Sequence, residues 1–197
     1  MKAVLLFHSV IIAAMCAAVM SFCTSCTPEA ESLEISFNYS RQSGPGSNQY
    51  AVWIEDADAN VVKTLFVTSF SAKGRSWNGE PADRGYHYRP SCVHNWVKNV
   101  NADSLTDEQI DSFTGATPAE DGIQSFIWDF TDENGNIVPD GTYKAVIEAD
   151  LHDWTIKTYT CTVVTGQKAG ELEFDEDYSE PDEKYESMIT DVKFELK

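Results

Sequence analysis

The chain has 197 residues, 42% hydrophobic and 12% aromatic, enough to build one ordinary domain around its own core. Against 32 acidic side chains stand 14 lysines and arginines, a formal net charge of -18. That balance argues against nucleic-acid partners and against docking on anionic lipid through a basic patch.

Lys2, the apolar run from Ala3 to Met20 and the closing "SFCTSC" follow the plan of a secretory signal, expected over residues 1–25. Small Thr24 and Ser25 ahead of Cys26 resemble a bacterial lipobox. That resemblance implies cleavage before Cys26 and lipid on its sulfur, with several acyl chains for stable anchoring. Cys23 is the poorer site because bulky Phe22 precedes it. An uncleaved anchor or plain secretion is the alternative. The expected address is extracytoplasmic and lipid-anchored, in the periplasm or at the outer membrane of a Gram-negative bacterium, with the membrane as a partner through the lipid. No later stretch is apolar enough to span a bilayer.

Residues 26–32 read as a polar tether. In "LEISFNY", residues 33–39, apolar and polar positions alternate as in a half-buried strand. The Gly- and Pro-containing "SRQSGPGSN" marks a turn. "QYAVWIED" and "VVKTLFVTSF" read as strands joined by "ADAN". Residues 71–91 show no period and are expected to be a long loop. "CVHNWVKNV" suits a short helix, and Thr106 with Gln109 fits a capping box ahead of "DEQIDSF". A helical insertion is therefore expected over about 92–113.

Strands resume at "IQSFIWDF", followed by the turn-rich "TDENGNIVPDGTY" and by "TYKAVIEADL" and "WTIKTYTCTVVTG". Short strands at regular spacing point to an all-β, immunoglobulin-like antiparallel sandwich over residues 33–175, carrying the short helical insertion. Residues 176–187 read as an acidic linker and 188–197 as a C-terminal edge strand. Of five cysteines, only Cys92 and Cys161 remain beyond the signal and lipid site. They are either a disulfide suited to an oxidising compartment or two buried thiols.

Residues 126–149 resemble the Trp-Asp hairpin signature of small bacterial immunoglobulin-like domains, including the flagellar hook-cap type. Trp128, Asp129, Asp132, Gly135, Val138, Gly141 and Tyr143 fall on it. Phe130 stands where that signature has glycine, which puts the first turn in question. The longer arrangement, over roughly residues 33–175, resembles an uncharacterised family of predicted periplasmic proteins, a domain of unknown function.

Asp111, Thr114, Gly115, Ala116 and Thr117 match the D-x-x-[ST]-G-A-[ST] motif at which a periplasmic transferase esterifies FMN onto the final hydroxyl. This resemblance implies flavinylation at Thr117, with Asp111 aiding recognition and Gly115 and Ala116 admitting the transferase. It also implies covalent FMN as cofactor, a flavin transferase and membrane redox proteins as partners, and electron transfer as function. Trp96, Trp77 or Tyr86 would then be candidates to stack on the flavin. The competing reading is a hydroxyl-closed turn at Thr114 and Gly115.

His87, His94 and His152 lack metal-ligand spacing, and no nucleophile elbow or phosphate loop occurs. The chain therefore reads as a carrier or binding module rather than an enzyme, with no catalytic or metal residues assigned. "DENGN", residues 132–136, departs from an EF-hand at Ile137 and Tyr143 and reads as a hairpin turn. Asp103-Ser104-Leu105 resembles a short bacterial O-glycosylation motif, with a turn or helix cap as the preferred reading. Arg75, Arg84 and Arg89 with Trp77, Tyr86 and Tyr88 either form a face for anionic or ring-shaped ligands or pair with nearby acids. Two functions follow: an FMN-bearing extracytoplasmic electron carrier, or a non-catalytic immunoglobulin-like binding or scaffold module of the cell envelope.

Overall fold

Leu33, Ile35, Phe37 and Tyr39 are buried while the residues between them are half-buried, the period of a strand with one face in a core. This strand, β1 (Leu33–Tyr39), belongs to a computed structural model that describes residues 29–44, 46–76, 83–185 and 188–197. The expected signal segment, Cys26 and Trp77 lie outside the described residues.

The other strands are β2 (Gln49–Glu55), β3 (Val61–Thr68), β4 (Thr114–Gly115), β5 (Gly122–Trp128), β6 (Thr142–His152), β7 (Thr155–Val164), β8 (Gly170–Leu172), β9 (Phe174–Ser179) and β10 (Ile189–Leu196). They form a four-stranded sheet in the order β5-β1-β10-β8 and a six-stranded sheet in the order β4-β3-β2-β6-β7-β9. Pairing is antiparallel except for the short β3–β4 contact. The expected all-β sandwich with a short helical insertion is what the chain forms.

Between the sheets lie Leu33, Ile35, Phe37, Tyr50, Val52, Ile54, Ala145, Ile147, Trp128 and Phe194. A second core covers the opposite face of the six-stranded sheet, where Ala51, Trp53, Val67 and Val146 meet Trp96, Ile110 and Phe113. β2 is therefore covered on both faces, and its sequence "YAVWI" is a continuous rather than an alternating apolar run.

That second layer consists of α1 (Ser69–Lys73), α2 (Gly85–Tyr88), α3 (His94–Val100), a 3-10 turn (Ala102–Ser104) and α4 (Asp107–Phe113). The helical insertion thus starts near 69 instead of 92. α1 and α2 are too short to show a helical period in sequence, and their place is set by packing. Gly74 and Gly85 mark this: a Cβ on Gly74 would meet the Asp83 carbonyl oxygen at 1.6 Å, and one on Gly85 would meet that of Phe70 at 1.8 Å.

Two expectations are corrected at the C-terminal end. The acidic linker expected over 176–187 begins later, because residues 176–179 belong to β9, which pairs with β7 from Cys161↔Phe174 to Ile156↔Ser179. Phe174 and Tyr178 turn partly inward while Asp175, Glu176 and Asp177 stay exposed, a charged edge that discourages pairing with other chains. β10 lies between β1 and β8, not at an edge, with Ile189, Phe194 and Leu196 buried. Of the two readings of Cys92 and Cys161, the structure has two free, buried thiols. Cys161 sits between the sheets, whereas Cys92 lies beside Asp150 on the outer face of the same sheet. The sheet itself separates the two sulfurs.

Where the chain passes from β5 in one sheet to β6 in the other, the Trp128 and Tyr143 rings meet edge to face at 5.2 Å within the inter-sheet core. Phe130 takes φ 56°, the left-handed conformation glycine would adopt without strain. Its ring packs edge to face on Trp128 at 4.9 Å, which helps offset that strain.

Candidate functional site

The route to the Thr-Gly-Ala-Thr segment begins at a helix cap. Thr106 Oγ1 accepts from the Gln109 amide at 3.2 Å, and Gln109 Oε1 accepts from the Thr106 amide at 2.9 Å. This reciprocal box starts α4 at the expected residue. α4 ends with buried Phe113 edge-on to Trp96 at 5.8 Å, which fixes where the chain leaves the helix.

Thr114 and Gly115 then run parallel to Val67 and Thr68 along the edge of the six-stranded sheet. Ser69 Oγ donates to the Gly115 carbonyl oxygen at 2.9 Å. Gly115 lies against the Phe66 ring, and Ala116 beyond it is exposed. Arg41 holds the far side of the segment, its Nη1 donating to the Pro118 carbonyl oxygen at 2.8 Å. Its own amide donates to Asp121 Oδ1 at 2.7 Å. The segment is held at both ends.

Thr117 is half-buried and lines a cleft of about 350 Å³, together with Arg41, Ser47, Gln49, Phe70, Arg89 and Cys92. Its hydroxyl is 3.5 Å from Gln49 Oε1. The other hydroxyls of the motif are differently placed. Thr114 Oγ1 is buried and without a hydrogen-bond partner among the described residues, and Ser112 Oγ donates to the Gln109 carbonyl oxygen at 2.6 Å. Asp111 is exposed and paired with Lys73 at 2.5 Å, so it belongs to the helix surface rather than to the cleft lining.

Beneath the cleft, Ser47 Oγ donates to Asp150 Oδ2 at 2.9 Å. Burial pushes the Asp150 carboxyl up to about 6, against the lowering contributed by Cys92, Ser47 and Arg89. Neighbouring Glu148 is fully buried and pushed up to about 7 by desolvation. It accepts from the amides of Asn95 and Trp96 at 3.0 Å each and so anchors α3 to the sheet. Neither carboxylate is visible as special in the sequence. "VIEAD" reads as a strand with ordinary charges until a helical layer covers its outer face.

The aromatic candidates fare unequally. Trp96 is fully buried with its indole N–H donating to Thr64 Oγ1 at 3.1 Å, and Tyr86 is buried with its hydroxyl donating to Asp103 at 3.0 Å. Neither can meet a ligand ring in the cleft. Tyr88, 66% exposed, and Trp154, 43% exposed, instead border a second groove of about 530 Å³ that also contains Arg89. Sequence reasoning missed Trp154 because it sits in a hairpin turn, and only the fold brings that turn to Tyr88.

The remaining candidates are dispersed. His87 lies within hydrogen-bond distance of Asp83 and Asp103, at 2.7 and 2.9 Å, and these bonds raise its pKa. His94 touches Trp154, and His152 stacks on Tyr185 at 4.7 Å. Among the described residues no group of His, Cys, Asp and Glu is arranged to hold a metal. In "DENGN" one Asp132 oxygen accepts from the amides of Asn134 and Asn136 at 2.8 and 2.9 Å, so it closes a turn. Arg84 pairs with Asp107 at 2.6 Å.

Fold and site define a β-sandwich whose helical layer frames a polar cleft flanked by two arginines. The chain belongs to the family described as "Predicted periplasmic protein (DUF2271)", whose sequence profile matches residues 32–175. No curated protein and no solved structure matches it significantly. Among the described residues no helix is long and apolar enough to cross a membrane.

Proposed function

We propose that Thr117 is the acceptor of a covalently linked FMN and that the protein is an extracytoplasmic electron-transfer carrier, held at the membrane through lipid on Cys26. The observation that carries this reading is the placement of the Thr117 hydroxyl. Thr117 lines a cleft with Arg41 and Arg89 on its walls, and its hydroxyl makes a long 3.5 Å bond to Gln49 Oε1, whereas Ser112 Oγ is held at 2.6 Å and Thr114 Oγ1 is buried. A phosphodiester on Thr117 carries a negative charge, and guanidinium groups suit it by charge and by paired donors.

Attachment is a transfer to phosphorus. The Thr117 oxygen attacks the FMN phosphorus of a flavin dinucleotide donor, the pyrophosphate P–O bond breaks, and AMP leaves. The hydroxyl proton passes to a base on the transferase, which also supplies the metal. Bound flavin supplies the electron chemistry, and the chain's own residues position and shield it. Gly115 and exposed Ala116 keep bulk away from the hydroxyl during transfer.

Co-expression with a flavin transferase followed by intact-mass measurement tests the reading. One added FMN phosphoester is expected, lost in Thr117→Ala and kept in Thr114→Ser. An unmodified mass under those conditions would leave the second reading, a cofactor-free envelope binding module that uses the same open cleft.

A further inference from the structure

We infer that the exposed Tyr88–Trp154 groove is the seat of the flavin ring, with Arg89 as the hinge between ring and phosphate. This rests on the assignment of FMN to Thr117 and adds where the tricyclic group goes. Arg89 lines both the Thr117 cleft and the groove, so the two hollows share one residue. A phosphate esterified at Thr117 and a ring beyond Arg89 would occupy them in sequence.

The groove has the chemistry for a flat, polar-edged aromatic. Its two large exposed rings come from separate elements, Tyr88 from the last residue of α2 and Trp154 from the β6–β7 turn. Aromatic side chains of this kind stack on planar ligands, and their exposure costs the free protein apolar contact with water. Trp154 is not loose: the His94 ring packs edge-on against it at 5.2 Å, and Ser179 Oγ holds its carbonyl oxygen at 2.9 Å. Arg89 is less firmly engaged, since its ion pair with Asp153 is long at 3.7 Å and both partners are more than half exposed. It can therefore turn toward a phosphate without giving up a strong contact. The interior alternatives are closed, because Trp96 and Tyr86 are buried under the helical layer. An open groove also leaves one ring edge accessible to an electron-transfer partner.

The test uses the full chain carrying FMN, compared with the Tyr88→Ala/Trp154→Ala double variant. Both residues are exposed, so the variant is expected to fold and to take up FMN with the same mass increase. In the parent, stacking on Tyr88 and Trp154 quenches flavin emission and gives the flavin bands visible circular dichroism. The double variant should lose that dichroism, and its emission should rise severalfold toward that of free FMN. Single Trp154→Tyr should retain most of both signals, which separates stacking from a general loosening of the turn. Equal emission and dichroism in parent and double variant, both carrying FMN, would overturn the ring placement alone. A parent that stays unmodified would overturn the Thr117 assignment and the placement with it.

Discussion

Gly115 lies so close to Phe66 that a Cβ added to it would stand 2.3 Å from the edge of the ring. Phe66 cannot simply retreat, because it stacks on Tyr50 at 5.0 Å and meets Phe126 at 5.2 Å in the aromatic cluster between the sheets. The glycine of the Thr-Gly-Ala-Thr segment is thus required by packing, whatever its part in modification. Gly115→Ala should destabilise the protein by about 1–3 kcal/mol through overpacking, read as a lower urea midpoint. An unchanged midpoint would mean that the segment is free to lift from the sheet.

Thr106 governs the other approach to the same segment. Removing its side chain breaks one half of the reciprocal cap at the start of α4. Thr106→Ala should cost about 1 kcal/mol, a shift of roughly 2–4 °C in Tm for a domain of this size. Thr106→Ser should restore most of the loss, since serine presents the same acceptor to the Gln109 amide.

What could be read in the sequence was what local periodicity controls. β1 alternates because one face is buried, and the α4 cap shows because its two partners are three residues apart. What could not be read depends on distant neighbours. "FDEDYS" has the composition of a solvated linker, and it becomes β9 because β7 offers it an unpaired edge. α1 and α2 have one turn or little more each and take their place from the close approaches at Gly74 and Gly85. The site divides the same way. Thr117 was marked by its motif, but Arg41 and Gln49 reach it from β1–β2 and the second groove forms only when Tyr88 meets the β6–β7 turn. The even cysteine count left a bridge and two buried thiols both open, because sequence cannot say on which face of a sheet each sulfur lies.

That separation makes a chemical prediction. Burial pushes the Cys161 thiol up to about 11 and the Cys92 thiol higher still, so little thiolate is present near neutral pH. Iodoacetamide without reductant should leave both unlabelled in the native protein and label both after unfolding in urea, as mapped by peptide mass. A linked Cys92–Cys161 peptide under those conditions would contradict the observed arrangement.

Asp150 makes folding stability fall as pH rises through the weakly acidic range. Its carboxyl is raised by burial from an ordinary 3.8 to about 6. One oxygen accepts from Ser47, and the other has no partner among the described residues. Between pH 4 and 6 the folded state holds a proton that the unfolded state has released, so folding stability falls as pH rises through that window. Below the window the contribution is fully present, and above it the carboxylate is buried with its charge. Asp150→Asn removes the titration while keeping an acceptor for Ser47. At about 1.4 kcal/mol per pKa unit, the variant should gain on the order of 1–3 kcal/mol on the parent between pH 4 and pH 7. Glu148 is also raised, by burial and in smaller part by the Asp150 charge, so the difference between the two curves reads Asp150 together with its coupling to Glu148. Urea unfolding at pH 4, 5, 6 and 7 would measure it. Parallel curves for parent and variant would show that water or Arg89 reaches Asp150 and keeps its carboxylate solvated beneath the cleft.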